Sequence, residues 1–149
     1  MEELLNALLQ RISEKIPELS LIDEDYGQLD FINDDSEDMY PVTFPCVLVG
    51  NTEIEWKRIA PGTQKGSAAI TVKLAIDCYD DTHIGSGTTE MITERQEMSN
   101  RVYKALQDFR LNKFSGPLNR IKSRDYSIPG NIKVYEKIFS FEYHDESAR

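Results

Sequence analysis

Residues 69–78 alternate without a break, with Ile70, Val72, Leu74, Ile76 and Cys78 on one side of an extended chain and Ala69, Thr71, Lys73, Ala75 and Asp77 on the other. A period of two means a strand with one face toward a core. It also speaks against a parallel sheet, whose strands, buried on both faces, read as continuous apolar runs. Residues 52–59 alternate in the same way, Ile54 and Trp56 against Glu53, Glu55 and Lys57. Between the two segments, Pro61-Gly62-Thr63-Gln64-Lys65-Gly66 reads as a turn-rich loop. The expectation is a long antiparallel hairpin with a loop of about six to eight residues.

Around that hairpin the periodicity changes. Leu4, Leu5, Leu8, Leu9, Ile12 and Ile16 form one stripe at helical spacing, and Pro17 stops the helix soon after. The polar side of this helix is poor in Lys and Arg, so its stripe belongs in a core more readily than on a membrane. A second helix is predicted over residues 89–109, with Met91, Met98, Val102, Ala105, Leu106 and Phe109 on one side and Thr88 or Thr89 as its N-cap. Cys46 to Val49 reads as a short apolar strand that Gly50-Asn51 ends, and residues 18–40 hold a short strand or two within a polar loop. Residues 118–126 and 132–143 form a closing pair of strands, with Tyr135, Lys137, Phe139, Phe141 and Tyr143 on one face of the last. These elements predict one α+β domain over residues 1–149, a mostly antiparallel sheet with both helices packed on one face.

Charge is unevenly placed. The net charge is −9, and residues 18–38 alone carry nine acids without a single Lys or Arg. Residues 101–137 carry nine bases against three acids. An acidic chain is a poor general partner for nucleic acid, whose affinity comes from Lys and Arg neutralising phosphates. The start of the chain lacks the basic and apolar segments of a secretory leader, and no segment is apolar enough to span a membrane, which predicts a cytoplasmic protein. Cys46 and Cys78 lie in apolar runs and read as buried free thiols.

Chemistry finds little purchase. Asp77, Cys78, Asp80, Asp81 and His83 are the densest group of potential metal ligands, yet their spacing fits neither a zinc motif nor a calcium loop, and a solvated loop is the simpler reading. Gly85-Ser86-Gly87-Thr88-Thr89 precedes a helix but lacks the phosphate-loop lysine and the full dinucleotide pattern. Nothing here calls for a catalytic residue or a cofactor. Trp56, the lone tryptophan, serves either core packing or an interface. A long hairpin leaves an edge that a neighbouring strand can cover. Ile54, Trp56, Lys57, Arg58 and Lys65 are therefore the candidate contact residues.

Several local patterns occur together in this order: the helix of residues 4–16, the Tyr40-Pro41 to Phe44-Pro45-Cys46-Val47-Leu48-Val49 stretch, the strand of residues 69–77, a central helix ending Val102-Tyr103-Lys104-Ala105-Leu106-Gln107-Asp108-Phe109, and the aromatic last strand. This order resembles the tail terminator, or tail completion, proteins of long-tailed bacteriophages and prophages. The resemblance implies a ring, commonly a hexamer, that caps the tail tube, stops its growth and offers the surface on which the head is joined. Its partners would be copies of itself, the tail tube and the head–tail connector, with no specific nucleic acid, no membrane, no metal and no cofactor. It would reside in the bacterial cytoplasm during assembly and in the virion tail thereafter. The acidic stretch of residues 18–38 matches no feature of that family. Two other classes stay open: an intracellular protein-binding adaptor module, favoured by a monomer with one specific partner, and an enzyme, favoured by stoichiometric metal binding or a cleft of perturbed carboxylates.

Overall fold

A computed structural model describes residues 2–31, 42–78 and 90–149. Helix α1 (Glu2–Lys15) is followed by β1 (Leu21–Glu24), a short 3-10 turn (Gln28–Phe31), β2 (Cys46–Ala60) and β3 (Thr63–Asp77). Helix α2 (Glu90–Leu106) then leads to β4 (Asn119–Ile128) and β5 (Ile132–Asp145). The five strands form one sheet in the order β1-β2-β3-β5-β4. Only β1, beside β2, runs parallel to its neighbour. The architecture is the expected α+β one.

The main core lies between one face of this sheet and both helices. Ile70, Val72 and Leu74 of β3 are buried there with Leu4, Leu8, Ile12 and Ile16 from the first helical stripe and Val102, Ala105 and Leu106 from the second. Phe139 and Phe141 complete it from β5. Ile76 is only half-buried, and so is Cys78, because β3 ends at Asp77. Cys78 therefore departs from its expected burial. Cys46 is fully buried, and burial pushes its thiol up to about 12.

The opposite sheet face holds a second, smaller core at the end near β1. Cys46, Leu48, Ala75, Ile132 and Val134 are buried in it, with Leu21, Leu29, Val42, Phe44, Tyr126 and Ile128 packed around them. Alternation puts Ala75 on the face away from the main core, and Leu29, Val42 and Phe44 pack over it there.

Each helix also closes the other. The last carbonyls of a helix have no partner within it, and here Arg11 of α1 donates through Nε to the Ala105 carbonyl of α2 at 3.0 Å. In return Arg101 of α2 donates to the Lys15 carbonyl at the end of α1 and forms an ion pair with Glu18 at 2.9 Å. Helix α2 stops at Leu106, short of the expected Phe109, because Asp108 takes a left-handed φ of 65° and donates its N–H to the Leu118 carbonyl.

Three further expectations changed or could not be located. Gly50-Asn51 does not end a strand. It forms a bulge, with Asn51 at φ 53°, inside a single β2 of 15 residues. The hairpin loop is not six to eight residues long: Ala60 pairs with Thr63, leaving only Pro61 and Gly62 as the turn. Tyr40-Pro41, the ligand-like Asp80, Asp81 and His83, the Gly85–Thr89 stretch and the N-cap at Thr88 or Thr89 lie outside the described residues.

Candidate interface at the sheet edges

The outer half of β2, residues 51–60, is largely exposed. β1 pairs with β2 only from Cys46 to Val49. Beyond that point no described strand lies on the outer side of residues 51–60 of β2. On this free half Trp56 is 40% exposed and Ile59 53% exposed, while Lys57 and Arg58 are exposed and Ile54 is half-buried. Trp56 is thus no core residue. Lys65, the remaining predicted contact residue, is across the hairpin on β3 and is exposed, paired with Glu142 at 3.2 Å. The five residues share one end of the sheet, although Lys65 sits on an inner strand and not on the edge.

Gly66 explains how Trp56 is held. The register places Trp56, Gly66 and Tyr143 side by side across three strands. With no side chain between them, the two rings meet edge to face at 6.3 Å and 78°. A methyl group on Gly66 would meet Ile54 Cγ2 at 2.7 Å and the Trp56 ring at 2.9 Å. One face of the indole is fixed from within the sheet, and much of the remainder faces outward.

The other open edge is β4, which periodicity located as a strand without marking it as an edge. Its burial differs from that of every other long strand, since Asn119 to Asp125 are all exposed, and Ile121 is 57% exposed. The missed signal is the spacing of Arg120, Lys122 and Arg124, since cations on a strand are a common guard against indiscriminate edge pairing. A bulge between Arg120 and Lys122 adds to that guard.

The charge segments are partly consumed within the chain. Glu18 pairs with Arg101, Asp25 with Lys73 at 3.1 Å, Asp125 with Lys133 at 3.0 Å, and Glu136 with Arg124. By contrast Glu53, Glu55 and Lys122 make no ion pair among the described residues. Between α2 and β4 a cleft of about 280 Å³ contains Lys137, which is 5% exposed and donates to Ser99 Oγ. Burial, and secondarily the neighbouring Arg120, lower its pKa to about 8. Arg120 itself lies over the Tyr103 ring at 3.7 Å.

No His, Cys, Asp or Glu side chains gather in threes as metal ligands among the described residues, and none of the described helices is long and apolar enough to cross a membrane. A cleft of about 560 Å³ is lined by Ile92, Arg95, Pro129 and Tyr135 among others, and brings no histidine beside Cys78. His144 contacts Glu146 near the far end of β5.

No family model matches the chain, and no curated protein matches it. Among solved structures, a chain from the virion of a native gene transfer agent particle is similar in fold, with a TM-score of 0.59 at 9% identity. The likeness covers 94% of this chain and 93% of that one.

Proposed function

We propose that this protein is a structural component of a phage-like tail, one that caps the tail tube as a ring of identical copies, commonly six, and supplies the surface on which the head is joined. The observation that carries this reading is the free half of β2, a strand edge beside an outward-facing tryptophan, in a fold that a gene transfer agent virion chain shares over nearly its whole length. Bare backbone donors and acceptors next to apolar side chains suit the addition of a strand from a partner. Trp56 and Ile54 would supply much of the affinity, and Lys57, Arg58 and Lys65 would orient the approach.

The mechanism is complementarity of surfaces, with no bond made or broken and no cofactor. Assembly takes place in the bacterial cytoplasm, and the ring remains in the virion tail.

The test mixes purified protein with tail tubes and follows capping by electron microscopy and sedimentation. Wild-type protein should cap tube ends and halt their growth. Trp56→Ala and the double reversal Lys57→Glu, Arg58→Glu should leave the ends open while remaining folded. Wild-type protein that never associates with tubes, or variants that cap as well as wild type, would remove this reading.

A further inference from the structure

We propose that neighbouring copies of this chain join sheet to sheet, β4 of one copy adding antiparallel to the free half of β2 in the next, with Glu53 opposite Arg124 and Glu55 opposite Lys122. The proposal rests on the ring reading and names the surface that meets the hairpin.

In this register residues 119–126 of β4 lie along residues 58–51, the free part of β2, and Ser127 and Ile128 must turn away where β1 and Asp25 already hold Val49. The backbones of the two edges match in phase. Val49 accepts a hydrogen bond from the Asp25 N–H on the outer side of β2. Val49 lies opposite Val72 and Ile54 opposite Ala68, an even step along β3, so Ile54 also points its N–H and C=O outward. At the other edge the Glu142 carbonyl accepts from the Gly116 N–H, which sets Glu142, and by even steps Glu136, facing outward from β5. Arg124, opposite Glu136, then points its backbone groups inward, and those of Ser123 point out. In the proposed register Ile54 meets Ser123 as a hydrogen-bonded pair. The flanking pairs Glu53–Arg124 and Glu55–Lys122 are non-hydrogen-bonded ones, whose side chains stand closest.

Side chains agree with that phase. Glu53 and Glu55 lie on the same sheet face as Lys122 and Arg124, since the register relates them through Ala69, Ser67, Ile138 and Glu136 of that face. Glu55 gains Lys122, which has no other ion pair among the described residues, and Glu53 comes beside Arg124, which also holds Glu136. The same register draws Trp56 level with Ile121, two of the exposed large hydrophobic residues. Shifting the register by two residues one way would set Lys57 opposite Lys122, a like-charge pair that costs stability, and the other way would push twice as much of β4 onto the part of β2 that β1 and Asp25 hold.

The slope of the array also suits a curved sheet. Within one copy Arg124, Glu136, Lys73 and Leu48 run straight across the sheet, whereas Glu53 lies opposite Ala69, four residues further along β3 than Lys73. Each added copy therefore steps four residues, about 13 Å, for four strand spacings, about 19 Å. That slope is about 35°, within the strand tilt that closed barrels adopt. A head-to-tail contact repeats in one direction, and it closes into a ring when the rotation from copy to copy divides the full turn.

The experiment places Glu55→Cys and Lys122→Cys in one full-length chain that also carries Cys78→Ser. β3 and β5 separate the two new thiols within a copy, so only neighbouring copies can join them. On mild oxidation with tail tubes present, a non-reducing gel should show a ladder ending at the closed ring. Each single-cysteine chain should stay unlinked, as should the shifted pair Lys57→Cys with Lys122→Cys. In a parallel arm, Glu55→Lys or Lys122→Glu alone should lower the assembled fraction about tenfold, and the two together should restore it. Capped tubes without the 55–122 link, or no rescue by the double reversal, would overturn the edge pairing and leave the ring reading standing. Linked rings that never cap tubes would support the pairing and remove the tail reading. Absence of both capping and linkage would remove both.

Discussion

Replacing Lys137 with Met should make the protein more stable at neutral pH. Lys137 is 5% exposed in the middle of β5, and its ammonium finds only a serine hydroxyl, with no carboxylate paired to it among the described residues. Burial, reinforced by Arg120, takes its pKa from 10.5 to about 8. That difference corresponds to a penalty of roughly 3 kcal/mol on the charged form. Methionine keeps much of the stem's volume and removes the charge, at the cost of leaving Ser99 without its partner, about 1 kcal/mol. The expected net gain at pH 7 is about 2 kcal/mol. Because the folded state releases this proton more readily than the unfolded chain, the wild-type penalty is full below pH 8 and fades as pH rises from about 8 toward 10.5. The advantage of the variant should shrink over the same interval. Urea unfolding of both proteins at pH 7 and pH 9.5, compared as differences so that other titrating groups cancel, measures this directly. A variant less stable than wild type at pH 7, or an advantage independent of pH, would refute the reasoning.

Leu74→Ala removes a fully buried side chain from the main core and should cost about 2 to 5 kcal/mol by chemical denaturation. Gly62→Ala should cost about 1 to 2 kcal/mol, since Gly62 sits at φ +74° and a Cβ there would strike Arg149 Cα at 2.4 Å; equilibrium unfolding reads the loss. Native-state thiol labelling followed by mass spectrometry should modify half-buried Cys78 well before Cys46, which should react quantitatively only after denaturation.

Much of the fold was legible because period two and period 3.6 report which side of a segment is buried. Ile70, Val72 and Leu74, and Leu4, Leu8 and Ile12, each declared a face without reference to any other part of the chain. The misread points are those where a residue's meaning depends on a neighbour distant in sequence. Gly66 looked like part of a loop, and only the Trp56 and Tyr143 rings on either side show why a strand needs a glycine there. Gly50-Asn51 looked like a strand end, because a bulge and a break share the same local signature. Ala75 looked outward-facing until the second core appeared behind it. The candidate interface was half visible: alternation exposed the hairpin, but only the strand order and the short reach of β1 reveal β4 and the outer half of β2 as open edges among the described residues.

The reciprocal capping of α1 and α2 has a consequence for synthesis. Arg11 and Ala105 are separated by 94 positions. The first helix therefore leaves the ribosome long before the second exists to receive its apolar stripe or its last carbonyls. At about 5 to 20 residues per second, the wait is roughly 5 to 20 s. Throughout that interval Leu4, Leu8 and Ile12 have no permanent cover, although the hairpin of β2 and β3, with its two-residue turn, can already form. The nascent chain should accordingly be a transient client of ribosome-associated chaperones until α2 emerges.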